Sequence, residues 1–268
     1  MSDHGANAFF AGKSAELGAA NAIPPLNDVD ALELSEILDI DAKKYYQAGL
    51  ITYMDAIGGI TSKTWSWCAV KLYYSVFYLI RSLLALEGIA FVSVGKRVYW
   101  IKAEPGAELK RFPEKKHISS DTAIPKKNLS GSHGSVLYLL EANFPTSKLL
   151  SQEIDGYYPT EWMMKQREKH NYLNCGFPDP APSDSFLSFS NVEFHILMKA
   201  YYYDEDFLYT FSPEHAIVAY PTFVIKHVAN RFHTHIDYDE DSPPKKEFIS
   251  NLLRAQDGNL QFLEELII

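Results

Sequence analysis

The feature that most constrains this chain is an apolar segment at residues 62–87, which is predicted to form one long helix. Its apolar residues occur all the way around the helical axis rather than along one stripe, so other helices or a second subunit must cover it. Lys71, Arg81 and Glu87 interrupt the segment, which favours a buried helix over a membrane span. The apolar positions are Val70, Leu72, Tyr73, Val76, Phe77, Leu79, Ile80, Leu83 and Leu84.

The composition is that of a globular protein from a reducing compartment. The chain has 268 residues, of which 47% are hydrophobic and 22% charged, which argues against a disordered or collagen-like chain. Its 2 cysteines give no sign of a disulfide framework. The N-terminus lacks a basic segment followed by an apolar core, so we expect a cytoplasmic protein. The net charge of −9 argues against nucleic acid covering the whole surface.

The other periodic segments predict a mainly α fold in three parts. Residues 1–30 are expected to be a tail, 31–182 a helical bundle and 183–268 a helical extension. Within the bundle, Gly58 and Gly59 are expected to end a helix that starts near Asp41. Further helices are predicted at 29–38, 134–143, 160–174, 214–232, 245–255 and 259–268, with mixed structure at 186–211 and a proline-rich, non-helical segment at 176–182.

A basic segment at residues 95–127 interrupts the bundle and is predicted to be an inserted β-hairpin. The segments Val98-Tyr99-Trp100-Ile101 and Leu109-Lys110-Arg111-Phe112 flank a turn at Glu104-Pro105-Gly106. The segment holds 9 Lys and Arg against 4 Asp and Glu, so it is positive within an acidic chain. It is either a solvated insertion or a patch that faces phosphates, with Tyr99, Trp100 and Phe112 available for stacking on bases. The candidate nucleic-acid-binding residues are Lys96, Arg97, Lys110, Arg111, Lys115 and Lys116.

Most standard catalytic and metal-binding motifs are missing from the sequence. It has no Gly-rich phosphate loop, no His-Glu-x-x-His and no Gly-x-Ser-x-Gly. A strand through His233 and His235 would place both imidazoles on one face, with His227, Asp237 and Asp239 nearby. Such a pair also arises by chance among surface histidines, so we expect neither a metal nor another cofactor.

A polar helix face at residues 167–174 is the strongest candidate for chemistry. Arg167, His170, Asn171 and Asn174 follow the spacing of one helical face. Arg can bind a phosphate with two hydrogen bonds, and His can transfer a proton near neutral pH. These residues could act on an RNA phosphodiester without a metal if the ribose 2′-hydroxyl were the nucleophile. Spacing alone equally allows a solvated polar face.

Three segments, taken in order, resemble the HEPN superfamily (higher eukaryotes and prokaryotes nucleotide-binding). Residues 71–88, with Tyr73-Tyr74, Arg81 and a closing Gly88, resemble its central helix. Residues 132–137, which start Ser-His-Gly-Ser, resemble the start of a later helix, and residues 167–172 resemble the Arg-x-x-x-Asp/Asn-Tyr segment of the last core helix. The resemblance covers about residues 41–175 and implies an α-helical bundle that often dimerises.

The resemblance implies a protein of a prokaryotic defence or toxin–antitoxin system, with two hypotheses for its role. In a metal-independent endoribonuclease, Arg167 would bind the scissile phosphate and His170 would be the general acid or base, while Asn171 and Tyr172 would orient the RNA. Active HEPN members have four to six residues between Arg and His, whereas this chain has two. The second hypothesis is a non-catalytic interaction subunit that binds a protein partner or a second copy through the bundle.

Overall fold

The fold is mainly α, as the sequence predicts: 69% of the residues that the structure describes are helical and 8% are in strands. The computed structural model describes residues 4–17, 23–94, 97–112, 131–173, 182, 184–235 and 258–266. The α-helices are α1 (Gly5–Leu17), α2 (Asp28–Thr61), α3 (Trp65–Leu86), α4 (Gly131–Asn143), α5 (Pro159–Glu168), α6 (Ser188–Asn191), α7 (Phe194–Tyr202) and α8 (Ala216–His235). Short 3₁₀ helices are Lys148–Leu150, Asp184–Phe186 and Gly258–Leu266, and a π-helical turn is Lys169–Leu173.

The chain divides into two compact units, neither of which is continuous in sequence. Unit 1 comprises Met1–Tyr45 and Ile80–Phe144, and unit 2 comprises Tyr46–Leu79 and Pro145–Ile268. Helices α2 and α3 each contribute residues to both units. The residues predicted to be a separate C-terminal extension therefore belong to the same unit as 46–79.

The N-terminal segment predicted to be a tail contains a helix, α1, within unit 1. The carboxylate of Asp41 accepts hydrogen bonds from the backbone N–H groups of Gly5 and Ala6 at 2.9 and 3.0 Å, and it therefore caps the start of α1. Phe10 is fully buried, and Lys13 pairs with Asp30 at 2.7 Å. The prediction of a tail was wrong because these stabilising partners lie far along the chain from α1.

Helix α2 is one continuous helix of 34 residues, so the prediction of two helices, at 29–38 and from Asp41, was wrong, and the helix runs two residues past the predicted end at Gly58 and Gly59. Gly59 lies in close contact with α3, since a Cβ atom built on it would lie 2.7 Å from Cys68 Sγ. The helix ends at Thr61, and Lys63 then adopts a positive φ of 59°. Gly59 thus allows α2 and the start of α3 to approach each other within unit 2.

Helix α3 matches the prediction of a central helix closely, with only its outermost residues differing. Among the described residues it is the one helix that is long and apolar enough to cross a membrane, with a mean hydropathy of 1.4 over its most apolar window. Of that window, 78% is buried inside the structure, and the core helix of a soluble protein passes the same test. Ser75 and Ser82 satisfy their hydroxyl groups by donating to backbone carbonyls of α2 at 2.8 Å, each within its own unit.

Unit 1 also contains an antiparallel sheet in the order β1 (Ile89–Val94), β2 (Arg97–Lys102) and β3 (Lys110–Arg111). The pairing of β2 with β3 confirms the predicted hairpin, whereas β1 was not predicted. Tyr99 and Ile101 face the core, and Trp100 lies on the opposite face of β2. Helix α1 packs along β1, where Asn7 Oδ1 accepts a hydrogen bond from the Ser93 N–H at 2.9 Å.

Unit 2 buries much of the aromatic-rich segment at residues 200–223. Tyr201, Tyr202, Phe211 and Tyr220 are buried, and Tyr203 is half exposed. The Tyr53 and Thr222 hydroxyls are hydrogen bonded at 2.7 Å, which joins α2 to α8. The predicted helix at 245–255 and most of the proline-rich segment at 176–182 lie outside the described residues.

Candidate functional site

Helix α5 carries the predicted site in unit 2 and changes geometry within it. Pro159 occupies the first turn, where its missing N–H costs no helical hydrogen bond. The α-helix ends at Glu168, and Lys169–Leu173 continues as a π-helical turn. A π turn holds more residues than an α turn, so the spacing that places four polar residues on one face no longer applies after Arg167.

Arg167 packs within unit 2 rather than extending into solvent. Its guanidinium carbon lies 5.0 Å from the centre of the Tyr73 ring on α3, in a cation–π contact. One guanidinium nitrogen, Nη2, is 3.5 Å from the carboxylate of Glu168, and the Arg167 side chain is only 15% exposed. Nε is buried and has no hydrogen-bond partner within the described part of the chain. The positive charge of Arg167 is thus compensated mainly by one ring and one carboxylate.

Tyr73 connects the Arg167 environment to the core of unit 2. Burial raises the pKa of the Tyr73 hydroxyl well above its usual value, and the positive charge of Arg167 opposes that shift. Tyr73 therefore stays protonated at neutral pH and presents a neutral ring to the guanidinium. The sequence offers one signal for this pair, since Tyr73 and Arg167 belong to the first and third HEPN-like segments.

His170 is an interior residue, with only 4% of its surface exposed. Its Nδ1 lies 3.4 Å from the hydroxyl of Ser66 at the start of α3. Its ring meets the buried Phe186 edge-on, at 6.2 Å between centroids. These contacts hold the imidazole against neighbouring side chains and leave little of it accessible to a substrate.

Asn171, the next predicted catalytic residue, does not join His170 in the interior. Asn171 is exposed, so neighbouring residues of the π turn differ sharply in environment. The backbone of Tyr172 belongs to the same turn, while its side chain and the whole of Asn174 lie outside the described residues. The expected common face of Arg167, His170 and Asn171 is therefore not formed.

The predicted nucleic-acid-binding residues are only partly described. Arg97, Lys110 and Arg111 are exposed on the small sheet of unit 1, whereas Lys96, Lys115 and Lys116 lie outside the described residues. Of the aromatic residues suggested for stacking on bases, Tyr99 is buried. Phe112 contacts Phe91 and Tyr138 at 5.8 and 6.2 Å, so it packs within the unit. Trp100 is the member of the three that combines an outward position with a neighbouring cation.

The histidine pair considered for a metal lies on a helix and not on a strand. Helix α8 runs through His233 and ends at His235. Positions two residues apart on an α-helix are about 200° apart around the axis, so the common face expected of a strand does not form. Asp237 and Asp239 lie outside the described residues. Within the ranges that the structure describes, no group of three or more His, Cys, Asp or Glu could hold a metal ion.

Several residues that shape the site were not identified from the sequence. Two of these residues contact His170: Ser66 lies 104 residues before it in the sequence, and Phe186 lies 16 residues after it. Neither belongs to a recognisable motif. Arg81, in unit 1, lies over the Tyr45 ring at 4.1 Å and supports the packing there. No protein-family model, curated protein or solved structure matches this chain.

Proposed function

We propose that this chain is a non-catalytic interaction subunit with a HEPN-like bundle, which acts in a multi-protein prokaryotic defence complex. The resemblance of three ordered segments supports the HEPN-like part of the proposal. The contact between Arg167 and Tyr73, which belong to two of those segments, is consistent with it. The single observation that carries the non-catalytic part is the burial of His170.

A general acid or base must come within hydrogen-bond distance of the proton that it transfers. His170 instead has 4% exposure and packs against Ser66 and Phe186. Arg167, the proposed phosphate ligand, is engaged by Tyr73 and Glu168. These contacts favour structural roles for both residues over catalysis.

An exposed apolar stripe on unit 2 supports an interaction role. Ile196 lies on α7 and is 51% exposed, while Val192, in the extended segment before the helix, and Tyr203, at its C-terminal end, are 41% and 50% exposed. Exposed apolar side chains that form a contiguous patch are typical of protein contact surfaces. We propose a protein partner that covers this stripe with apolar side chains of its own.

The test of the non-catalytic role is RNA cleavage by purified protein in EDTA, combined with urea unfolding. We expect no cleavage by folded wild-type protein. We expect His170→Ala to lower the free energy of unfolding by about 2–4 kcal/mol, because it leaves a cavity beside Phe186. Asn171→Ala, the matched control at the next position, should change it by less than about 0.5 kcal/mol.

Metal-independent cleavage that is lost in Arg167→Ala and His170→Ala would overturn the proposal in favour of the ribonuclease. The interaction role is tested with a photo-crosslinking amino acid at position 196 in cells of the source organism. We expect a discrete protein adduct there, and none from the exposed position 205 of the same unit. Equal labelling from both positions would exclude the stripe as a specific contact.

A further inference from the structure

A groove of about 320 Å³ opens on unit 1 beside the loop that joins β2 to β3. Trp100, Lys102, Glu104, Gly106, Glu108 and Lys110 line it. Its volume falls at the lower end of the range of about 300–1,000 Å³ found for small-molecule sites. The groove lies on the inserted hairpin, outside the three HEPN-like segments, and its function does not depend on the proposed interaction role.

The backbone fixes the shape of this groove. The N–H of Gly106 donates to the carbonyl of Leu26 at 2.7 Å, and the N–H of Leu26 donates to the carbonyl of Ala107 at 2.9 Å. Gly106 has a φ of 80°, a value that strongly favours glycine. The reciprocal hydrogen bonds hold the loop in place before a ligand binds, and this lowers the entropic cost of binding.

Trp100 gives the groove an aromatic surface. In the sheet it pairs with Phe91 on one side and with Lys110 on the other, so these three side chains share a face. Phe91 is buried, whereas Trp100 is only half-buried. The ammonium of Lys110 lies over the Trp100 ring, 4.9 Å from its centre. A planar ring that stacks on this face of the indole would therefore take the place of the ammonium and keep the positive charge next to it.

The charged residues of the groove are not equivalent. Lys102 and Glu104 form an exposed ion pair at 3.5 Å, so each charge is partly neutralised by the other and is less able to bind a ligand. Glu108 is exposed and forms no ion pair within the described residues. Lys110, apart from its contact with Trp100, is similarly exposed. The groove therefore combines the Glu108 carboxylate and the Lys110 ammonium with one aromatic surface.

We propose that this groove binds a guanine nucleotide. The base stacks on Trp100, and the carboxylate of Glu108 accepts hydrogen bonds from the base, while Lys110 contacts the phosphate. Guanine is the nucleobase whose pairing edge carries two adjacent donors, N1–H and N2–H, and an ionised carboxylate is an acceptor only. Adenine and cytosine present an acceptor next to their amino group, and uracil presents one donor between two acceptors, so a carboxylate fits them less well.

The test is calorimetric titration of the full chain with GMP, AMP, CMP, UMP and inorganic phosphate. We expect GMP to bind about tenfold or more tightly than AMP, because two charge-assisted hydrogen bonds are at stake. Glu108→Gln should remove most of this preference while leaving AMP binding unchanged. Glu33→Gln, which alters an exposed carboxylate on α2 of the same unit, is the matched control and should retain the preference.

Two further variants separate the contributions of the base and the phosphate. Lys110→Gln should weaken GMP and AMP alike while leaving guanosine unaffected. Trp100→Ala should abolish nucleotide binding, and Trp100→Phe should retain part of it, with an unchanged unfolding midpoint as the check on folding. Equal binding of all four nucleotides, or binding of phosphate as tight as that of GMP, would overturn the proposal. So would the absence of heat with every nucleotide in a folded wild-type protein.

The guanine could belong to a free nucleotide or to single-stranded RNA, and the two sources can be distinguished. A labelled pentanucleotide with one central guanine is compared with its central-adenine counterpart and with GMP. Tighter binding of the guanine oligonucleotide than of GMP identifies RNA as the source. Tighter binding of GMP identifies the free nucleotide, and indifference to the central base counts against the site.

Discussion

Tyr201 and His215 form a hydrogen bond of 2.9 Å between the phenol oxygen and the imidazole Nδ1. Burial raises the pKa of Tyr201 to about 12, so the phenol keeps its proton at neutral pH. A protonated phenol can donate to an unprotonated Nδ1 or accept from an Nδ1–H, and the tautomer of the imidazole decides which. Burial also lowers the pKa of His215, and the charges of Glu214 and Asp204 oppose that shift. The folded protein therefore favours a neutral imidazole at this position.

This pair predicts a loss of stability in mild acid. Because the folded pKa of His215 lies below its unfolded value of 6.5, the unfolded chain takes up the proton first as the pH falls. The stabilising contribution is complete above about pH 6.5 and declines as the pH falls from there towards the folded pKa. Urea unfolding at a series of pH values between 5 and 8 should reveal this slope.

The slope should become smaller in His215→Gln, which cannot be protonated in this range. His233→Gln is the matched control, because His233 is exposed on α8 and does not take part in the Tyr201 pair. A variant at 215 that keeps the full wild-type slope would assign the acid sensitivity to other groups.

At the scale of elements, α1 offers a matched pair of glycines for testing how it is held. A Cβ atom built on Gly5 would lie 2.6 Å from Ile37 Cγ2 on α2, whereas a Cβ on Gly12 would meet nothing within 4 Å. We expect Gly5→Ala to destabilise unit 1 by about 1–3 kcal/mol through overpacking. Gly12→Ala should stabilise α1 by about 0.5–1 kcal/mol, since alanine loses less backbone entropy in a helix.

The readout is hydrogen exchange at Ser93, whose N–H donates to Asn7 of α1. Exchange at Ser93 should be faster in Gly5→Ala and slower in Gly12→Ala than in the wild type. Shifts in the same direction for both variants would show that α1 is not held by this close packing against α2.

Sequence patterns predict the elements whose stability comes from their own residues. The apolar run of α3 and the Pro105-Gly106 turn between β2 and β3 are examples, because their signals are local. Helix α1 was missed because it is capped by Asp41, which lies more than 30 residues away, and its composition is weak in apolar periodicity. Strand β1 was missed because its apolar run follows directly after that of α3.

The site was less predictable than the fold. Helical spacing in the sequence predicts which residues share one face of a helix. It cannot show that side chains from other elements, here Phe186 and Ser66, enclose His170. The π turn also shifts the angles at the point where the argument depends on them. Arg167 was predicted to bind a phosphate, and in the structure its side chain contacts the Tyr73 ring and the carboxylate of Glu168.

At the scale of the whole molecule, the discontinuous units predict which fragments fold. Residues 183–268 lack the segment 46–79, from which Tyr53 contacts Thr222 and Tyr46 donates to the carbonyl of Leu266, each at 2.7 Å. Expressed alone, this fragment should show little fixed tertiary structure by circular dichroism and amide dispersion. A chain that joins 46–79 to 145–268 through a flexible linker should regain cooperative unfolding.

The full-length protein is the reference for both fragments. Cooperative unfolding of residues 183–268 alone would instead identify them as an independent extension.

The same connectivity has a consequence for synthesis on the ribosome. Residues 46–79 leave the exit tunnel long before residues 145–268, which complete their unit, have been translated. At about 5–20 residues per second the delay is on the order of ten seconds or more. During this interval the nascent chain exposes Tyr53, Leu72 and Val76, which are buried in the finished protein. The yield of folded protein therefore depends on how well the chaperones of the host cover these apolar residues on the incomplete nascent chain. A slower translation rate lengthens the interval in which the nascent chain can aggregate.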